Sequence, residues 1–250
     1  MHTVDSQVPA RSTASPSAPF HKVVIGNATL YRADCFDVLP TIPRGGVDVA
    51  ITDPPYGIGF RYRSHADCPH AYEAMMQQLV PHLARVTGGG PCFVWQSQLK
   101  ADRWHVYFPR GFRIIAACKV YPEHQRRCLA WDPVIYWNSR GYLCDQIPCD
   151  WHVAHLGDWA EELGDCPVPC PRPLSQVRDF CEAVQGTTIL DPFLGSGTTG
   201  VAAILAGKKF VGIERDPVYF EYARRRIEAA LESVQQARTP TPVTRAAIPA

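Results

Sequence analysis

From residue 21 to residue 235 the chain alternates short apolar runs with longer amphipathic stretches. Two runs at 23–25 and 29–31, on either side of Gly26-Asn27, predict a pair of short strands. The run V-D-V-A-I-T at 47–52 predicts a buried strand that ends at Asp53. Further strands are predicted at 92–95, 112–120, 134–137, 187–190 and 210–213. Helical spacing predicts helices over 71–84, 98–108, 174–184, 198–206 and 218–234. Residues 139–170 show no periodicity. Strands alternating with helices give an α/β fold with a mostly parallel twisted sheet and helices on both faces. Residues 1–20 are rich in Ser, Pro and Ala, and residues 236–250 in Thr, Pro and Ala, so both are expected to be disordered tails around a single domain at 21–235.

The chain has 250 residues, of which 46% are hydrophobic, enough for one sizeable core. A net charge of +1 excludes no partner, because a near-neutral protein can carry a basic face. Ten cysteines would suit a secreted disulfide scaffold, but the first 19 residues hold no apolar signal core. No stretch is apolar for the roughly 18 residues a membrane span needs. A cytoplasmic protein with reduced thiols is expected. Cys144, Cys149, His152, His155, Cys166 and Cys170 crowd one region, but their spacing fits no zinc template, and no metal is expected there.

Asp191-Pro192-Phe193-Leu194-Gly195-Ser196-Gly197-Thr198-Thr199-Gly200 leaves a predicted strand and opens a predicted helix. Its glycines allow a tight turn and close backbone approach to a ligand. Glu214 ends the next strand, where a carboxylate can accept hydrogen bonds from the two hydroxyls of a ribose. By itself this pattern does not separate a dinucleotide site from other adenosine sites. Asp191 would repel a pyrophosphate but suit a cationic ligand group.

Asp53-Pro54-Pro55-Tyr56 follows the strand at 47–52. Two prolines stiffen the backbone and remove two N–H donors, and Asp53 is pushed towards an extended conformation. A rigid carboxylate, outward carbonyls and one aromatic ring suit a planar amine: the oxygens hold its hydrogens and the ring stacks on its face. An aromatic amine is a poor nucleophile, and such acceptors free its lone pair. Positioning would then supply much of the acceleration, with Asp53 offsetting positive charge on the nitrogen.

Together these segments resemble the DNA amino-methyltransferases specific for adenine N6 or cytosine N4. Asp53-Pro54-Pro55-Tyr56 is similar to their catalytic motif, and Asp191 to Thr199 to their cofactor motif. The catalytic motif comes first, the circularly permuted order that marks the β group of this family. Ala33 to Leu39 resembles the acidic turn at the cofactor's adenine, Cys170 to Leu174 the basic-Pro segment before the cofactor strand, and Phe210 to Glu214 the ribose-binding strand. The likeness covers residues 21–230 and implies a Rossmann-like S-adenosylmethionine-dependent methyltransferase fold.

The resemblance implies that Asp53, Pro54, Pro55 and Tyr56 hold the target amine and base. It assigns Asp34, Cys35, Asp53, Arg172, Asp191, Phe193, Gly195, Ser196, Gly197, Thr198 and Glu214 to S-adenosylmethionine, with S-adenosylhomocysteine as product. Cys170 stands where the family has other residues. DNA is the expected partner, its target base flipped out of the duplex, in a prokaryotic or phage modification system. A homodimer is left open.

The target-recognition insert would span about 139–170, which is acidic. The phosphate contacts are therefore assigned to Arg61, Arg63, Lys100, Arg103, Arg126 and Arg127. Trp131-Asp132-Pro133 and Tyr136-Trp137 are read as core packing, with the border of the base pocket as the alternative. Asp53 favours adenine, since cytosine enzymes of the family usually carry Ser there. A nicotinamide-dependent oxidoreductase would leave the Asp-Pro-Pro-Tyr loop unexplained, and a silent nucleic-acid-binding module would not need Asp53 and Tyr56.

Overall fold

The V-A-I-T segment forms β3 (Val49–Thr52), and all four residues are buried. Val49 and Ile51 enter one hydrophobic cluster and Ala50 the other. A strand buried on both faces needs helices on both sides of its sheet. The computed structural model describes residues 20–64, 67–118, 131–140, 150–153 and 166–238.

The strands run as β1 (His21–Ile25), β2 (Ala28–Arg32), β3, β4 (Cys92–Trp95), β5 (Arg113–Cys118), β6 (Trp131–Trp137), β7 (Trp151–Val153), β8 (Thr188–Asp191) and β9 (Lys209–Glu214). They build a nine-stranded sheet in the order β1-β2-β9-β8-β3-β4-β6-β5-β7. The central strands from β2 to β4 pair in parallel. β1 joins β2 as an antiparallel hairpin, and β6 runs antiparallel to both β4 and β5.

The helices are α1 (Cys35–Val38), α2 (Pro69–Val86), α3 (Trp104–Tyr107), α4 (Leu174–Ala183), α5 (Thr198–Leu205) and α6 (Pro217–Arg238). In α2 the buried residues Tyr72, Met76, Leu79, Leu83 and Val86 recur at helical spacing and cover one face of the sheet beside α1 and α3. Helices α4, α5 and α6 cover the other face through Val177, Phe180, Ala202, Phe220, Ala223 and Ile227. The chain leaves β3 through α2 towards β4, and leaves β8 through α5 towards β9 on the opposite side. The sheet order therefore reverses between β3 and β8, where a crevice opens at the strand ends.

The expected α/β class and helices on both faces hold. The stretch 98–108 is not one helix: a 3-10 segment, Gln98–Arg103, capped by Ser97 leads into the short α3. Helix α6 continues to Arg238, past the tail boundary expected at 236. Strand β6 begins at Trp131, three residues before the predicted start, and β7 was not predicted.

Gly197 sits at φ +81, and an added Cβ would lie 2.9 Å from the Ala223 Cα. Left-handed strain and overpacking against α6 therefore act together. Gly197→Ala is expected to lower the unfolding free energy by about 2–4 kcal/mol, measured by urea denaturation.

Candidate active site

The crevice is a cavity of about 480 Å³ lined by residues from the ends of β2, β3, β4, β8 and β9. At its centre the Thr52 hydroxyl donates to Asp191 Oδ1 at 2.7 Å. This bond joins the strand that carries Asp53 to the strand that carries the glycine-rich turn. The Phe193 N–H donates to the same oxygen at 3.0 Å. Burial pushes the Asp191 carboxyl up to about 6, against the hydrogen bonds from Thr52, Thr199 and Phe193. An ammonium group entering beside it would favour the ionised form.

The turn after Asp191 has Gly195 at φ +50 and Gly197 at φ +81. Gly195, Ser196 and Thr198 line the cavity, as do Phe193 and Thr199. Gly197 is not among the lining residues; its place is the turn packed on Ala223. Gly200 is likewise a packing glycine, because a Cβ would lie 2.4 Å from the Ile227 Cδ1. Arg226, which sequence reasoning did not single out, donates to the Ser196 carbonyl at 2.8 Å and to the Thr198 hydroxyl at 3.1 Å.

Glu214 accepts from the Gly195 N–H at 2.9 Å on one oxygen and from the Asp216 N–H at 2.8 Å on the other. Each oxygen keeps a lone pair for an incoming hydroxyl. Burial raises the Glu214 pKa, and those two backbone bonds oppose the rise. Asp34 caps α1 by accepting from the Phe36 N–H at 2.9 Å, and Arg215 approaches its other oxygen at 3.6 Å. Asp34 and Cys35 both line the cavity near Glu214.

At the opposite end stands the Asp-Pro-Pro-Tyr loop. Asp53 and Pro55 line the cavity, whereas Pro54 and Tyr56 stand behind it. The Tyr56 hydroxyl donates to Asp53 Oδ1. Asp67 fixes the chain that follows, accepting from the N–H groups of Gly57 at 2.6 Å, Ile58 at 3.1 Å and Phe60 at 3.1 Å. Gly57, at φ +67, packs so closely on Tyr72 that a Cβ would come within 2.5 Å.

Arg172, expected beside the cofactor, lines the same cavity, and its guanidinium is bonded to the catalytic loop and to β6. Its Nε donates to Asp53 Oδ2 at 2.6 Å and its Nη2 to Asp53 Oδ1 at 3.2 Å. Nη1 donates to Asp132 and Nη2 also to the Tyr56 hydroxyl. The guanidinium carbon stands 5.9 Å from the Tyr56 ring centre and 5.8 Å from that of Trp95. Burial opposes its charge, but Asp53, Tyr56 and Asp132 outweigh that and hold its pKa well above the usual arginine range. Burial also raises the Tyr56 pKa, with Arg172 opposing the rise and Asp53 adding to it. Trp131-Asp132-Pro133 is therefore more than packing: β6 runs antiparallel to β4, so its first residues return to the end of the sheet where β3 and β4 finish.

Of the basic residues assigned to DNA, Arg61 and Arg63 are exposed beyond the catalytic loop, and Arg63 lies 3.8 Å from Asp216. Lys100 stands 5.1 Å from the Tyr72 ring centre. Arg103 pairs with Glu73 at 3.1 Å. Arg126 and Arg127 lie outside the described residues, as do Cys144, Cys149 and His155. Among the described residues no group of three or more His, Cys, Asp and Glu side chains could hold a metal, and no helix is long and apolar enough to cross a membrane. His152, on β7, pairs with Asp179 at 3.2 Å.

The family model described as DNA methylase matches residues 165–225, the stretch that carries Arg172, Asp191, the glycine-rich turn and Glu214. Over that stretch the chain is similar to the N6/N4 DNA methylases. It is 27% identical over 222 residues to the “Putative methylase YubD” of Escherichia coli (strain K12), covering 82% of this chain and 92% of that protein. A shorter match, 41% identical over 75 residues, joins it to the type II methyltransferase M2.DpnII of Streptococcus pneumoniae and covers 27% of that enzyme. Among solved structures, PvuII DNA methyltransferase, a cytosine-N4-specific enzyme, aligns with a TM-score of 0.66 at 15% identity, covering 87% of this chain and 95% of that one. M1.HpyAVI in complex with SAM aligns with a TM-score of 0.60 at 20% identity, covering 80% and 98%. At these identities the structural likenesses establish the fold.

Removing the guanidinium would leave two carboxylates facing each other without their shared cation. Arg172→Leu is expected to cost about 3–5 kcal/mol of unfolding free energy. Adding Asp132→Asn should recover part of that loss, and chemical denaturation of the single and double variants checks both.

Proposed function

We propose that this chain is a DNA adenine-N6 methyltransferase that uses S-adenosylmethionine and acts on a base turned out of the duplex. The observation that carries the reading is the Thr52–Asp191 bond, which holds Asp53 and the Asp191-to-Gly200 turn on one cavity. The donor set fits the cofactor. Asp191 meets a methionine ammonium, Glu214 a ribose diol, and Asp34 with the Cys35 backbone an adenine edge. When bound, the cofactor supplies a methyl group on a sulfonium that leaves as a neutral thioether.

The protein's part is placement. Asp53 and a loop carbonyl accept the hydrogens of the target amine, so its lone pair points at the methyl carbon. As the new C–N bond forms, positive charge grows on the nitrogen and the Asp53 carboxylate offsets it. The methylated ammonium is a strong acid and loses its proton to Asp53 or to water. No strong base is required. A base paired in a duplex cannot reach this loop, so it must be flipped out. Aspartate rather than serine at position 53 favours adenine over cytosine. Arg61, Arg63, Lys100 and Arg103, with Arg126 and Arg127, are proposed to contact phosphates.

Transfer of labelled methyl to unmethylated DNA, followed by nucleoside analysis, tests the reading. Label is expected in N6-methyladenine, and label in N4-methylcytosine would overturn the choice of base. Asp53→Ala is expected to abolish transfer with little loss of cofactor binding in calorimetry.

Cofactor affinity should also follow pH. The Asp191 carboxyl is pushed up to about 6, so it is protonated below that value and ionised above it. In the ligand-free protein the raised pKa means that stability declines as pH rises through that value. Binding of an ammonium does the reverse. Cofactor Kd is expected to fall severalfold between about pH 5 and pH 7, and Asp191→Asn to flatten the profile.

A further inference from the structure

Resting on that reading, we propose that Asp132 is a positioning residue for methyl transfer: it holds Arg172 in the site when the target amine takes over the Asp53 carboxylate. Arg172 presents two different edges to two carboxylates. The Nε–Nη2 edge lies against Asp53 at 2.6 and 3.2 Å, and Nη1 points to Asp132. Arg172 and Asp132 are each 14% exposed at the side chain, whereas Asp53 is 29% exposed. The cation and its second partner are thus the more buried pair, and Asp53 is the member open to an incoming group.

In this arrangement Asp53 is crowded. Its Oδ1 accepts from both Tyr56 and Arg172, and its Oδ2 from Arg172. An amine seeking the same oxygens competes with a guanidinium, which is the stronger donor. A neutral amine cannot win if its success strips a buried cation of every anion. Asp132 removes that obstacle. With one carboxylate on Nη1, the guanidinium can loosen its grip on Asp53 and remain paired.

The backbone around Arg172 limits where the cation can otherwise go. Pro171 and Pro173 flank it, and Cys170 before them is at φ 51, a left-handed conformation rare for a residue with a side chain. The guanidinium carbon lies 5.8 Å from the Trp95 ring centre and 5.9 Å from the Tyr56 ring centre, so aromatic side chains crowd the cation as well. On release of Asp53 the guanidinium therefore stays in the site, held by Asp132.

The test measures methyl transfer to unmethylated DNA by the full chain, with cofactor affinity read separately by calorimetry. In Asp132→Asn the cation has only Asp53 and keeps it, so most bound target bases are held unproductively. The expected result is a loss of roughly tenfold or more in kcat, with KM for DNA and Kd for the cofactor each within about twofold of the native protein. Asp132→Glu keeps the second carboxylate and should restore most of the rate. The proposal is overturned if Asp132→Asn turns over at the native rate, if its loss lies in cofactor or DNA affinity instead of kcat, or if Asp132→Glu is no better than Asp132→Asn. If the native protein itself methylates no DNA, the proposed function fails and this role falls with it.

Discussion

The pairing of β3 with β8 is the constraint on which the site depends. Val49 and Ala50 lie in register with Ile189 and Leu190, and the Thr52–Asp191 bond closes the pair across 139 residues of chain. The other edges of the two strands are taken by β4 and β9, so both are fully paired within the sheet. Because the connections from β3 and β8 leave in opposite directions, no crossover helix covers their ends. The gap left there is what makes a ligand cavity. The glycine-rich turn and the Asp-Pro-Pro-Tyr loop are remote in sequence, and only this pairing makes them one site.

Buried charge divides the cavity into two electrostatic regimes. Around Asp191 and Glu214, carboxylates are surrounded by hydroxyls and backbone N–H groups, with burial raising both pKa values. Among the described residues neither Asp191 nor Glu214 forms a salt bridge, so that end gains from a ligand that brings a cation. Around Asp53 the opposite holds, since Arg172 already supplies the cation to two carboxylates and to the Tyr56 hydroxyl. A cationic group is therefore favoured at the first end and a neutral amine at the second. This asymmetry suits a reaction in which positive charge begins on one ligand and passes to the other.

Much of the frame was legible in the sequence because burial on two faces leaves a plain mark. The short apolar runs of β3, β4, β8 and β9 read as buried strands. Asp53, Asp191 and Glu214 were legible because each ends such a run. Strand β7 was not, since Trp151–Val153 is three residues long and half exposed, and exists by pairing with Ala116–Cys118. The 98–108 segment has helical spacing but begins as a 3-10 turn, because the Ser97 side chain accepts from the Leu99 N–H and sets the first turn tight. Asp67 leaves no pattern at all: a carboxylate that gathers three N–H groups is set by the path of the loop, not by any spacing.

Asp132 shows why the remaining chemistry stayed hidden. Between Trp131 and Pro133 it looks like a polar residue on the shoulder of a buried strand. Its role follows from direction. A parallel β6 would have started at the far end of the sheet and carried Asp132 away from β3. Running antiparallel to β4, with the Gln96 N–H bonded to the Pro133 carbonyl at 2.8 Å, it starts where β4 finishes. The same reversal brings Asp132 within reach of Arg172, whose own segment lies forty residues further on. Strand direction is a property of topology, and a carboxylate acquires its partner here only after the sheet has closed around it.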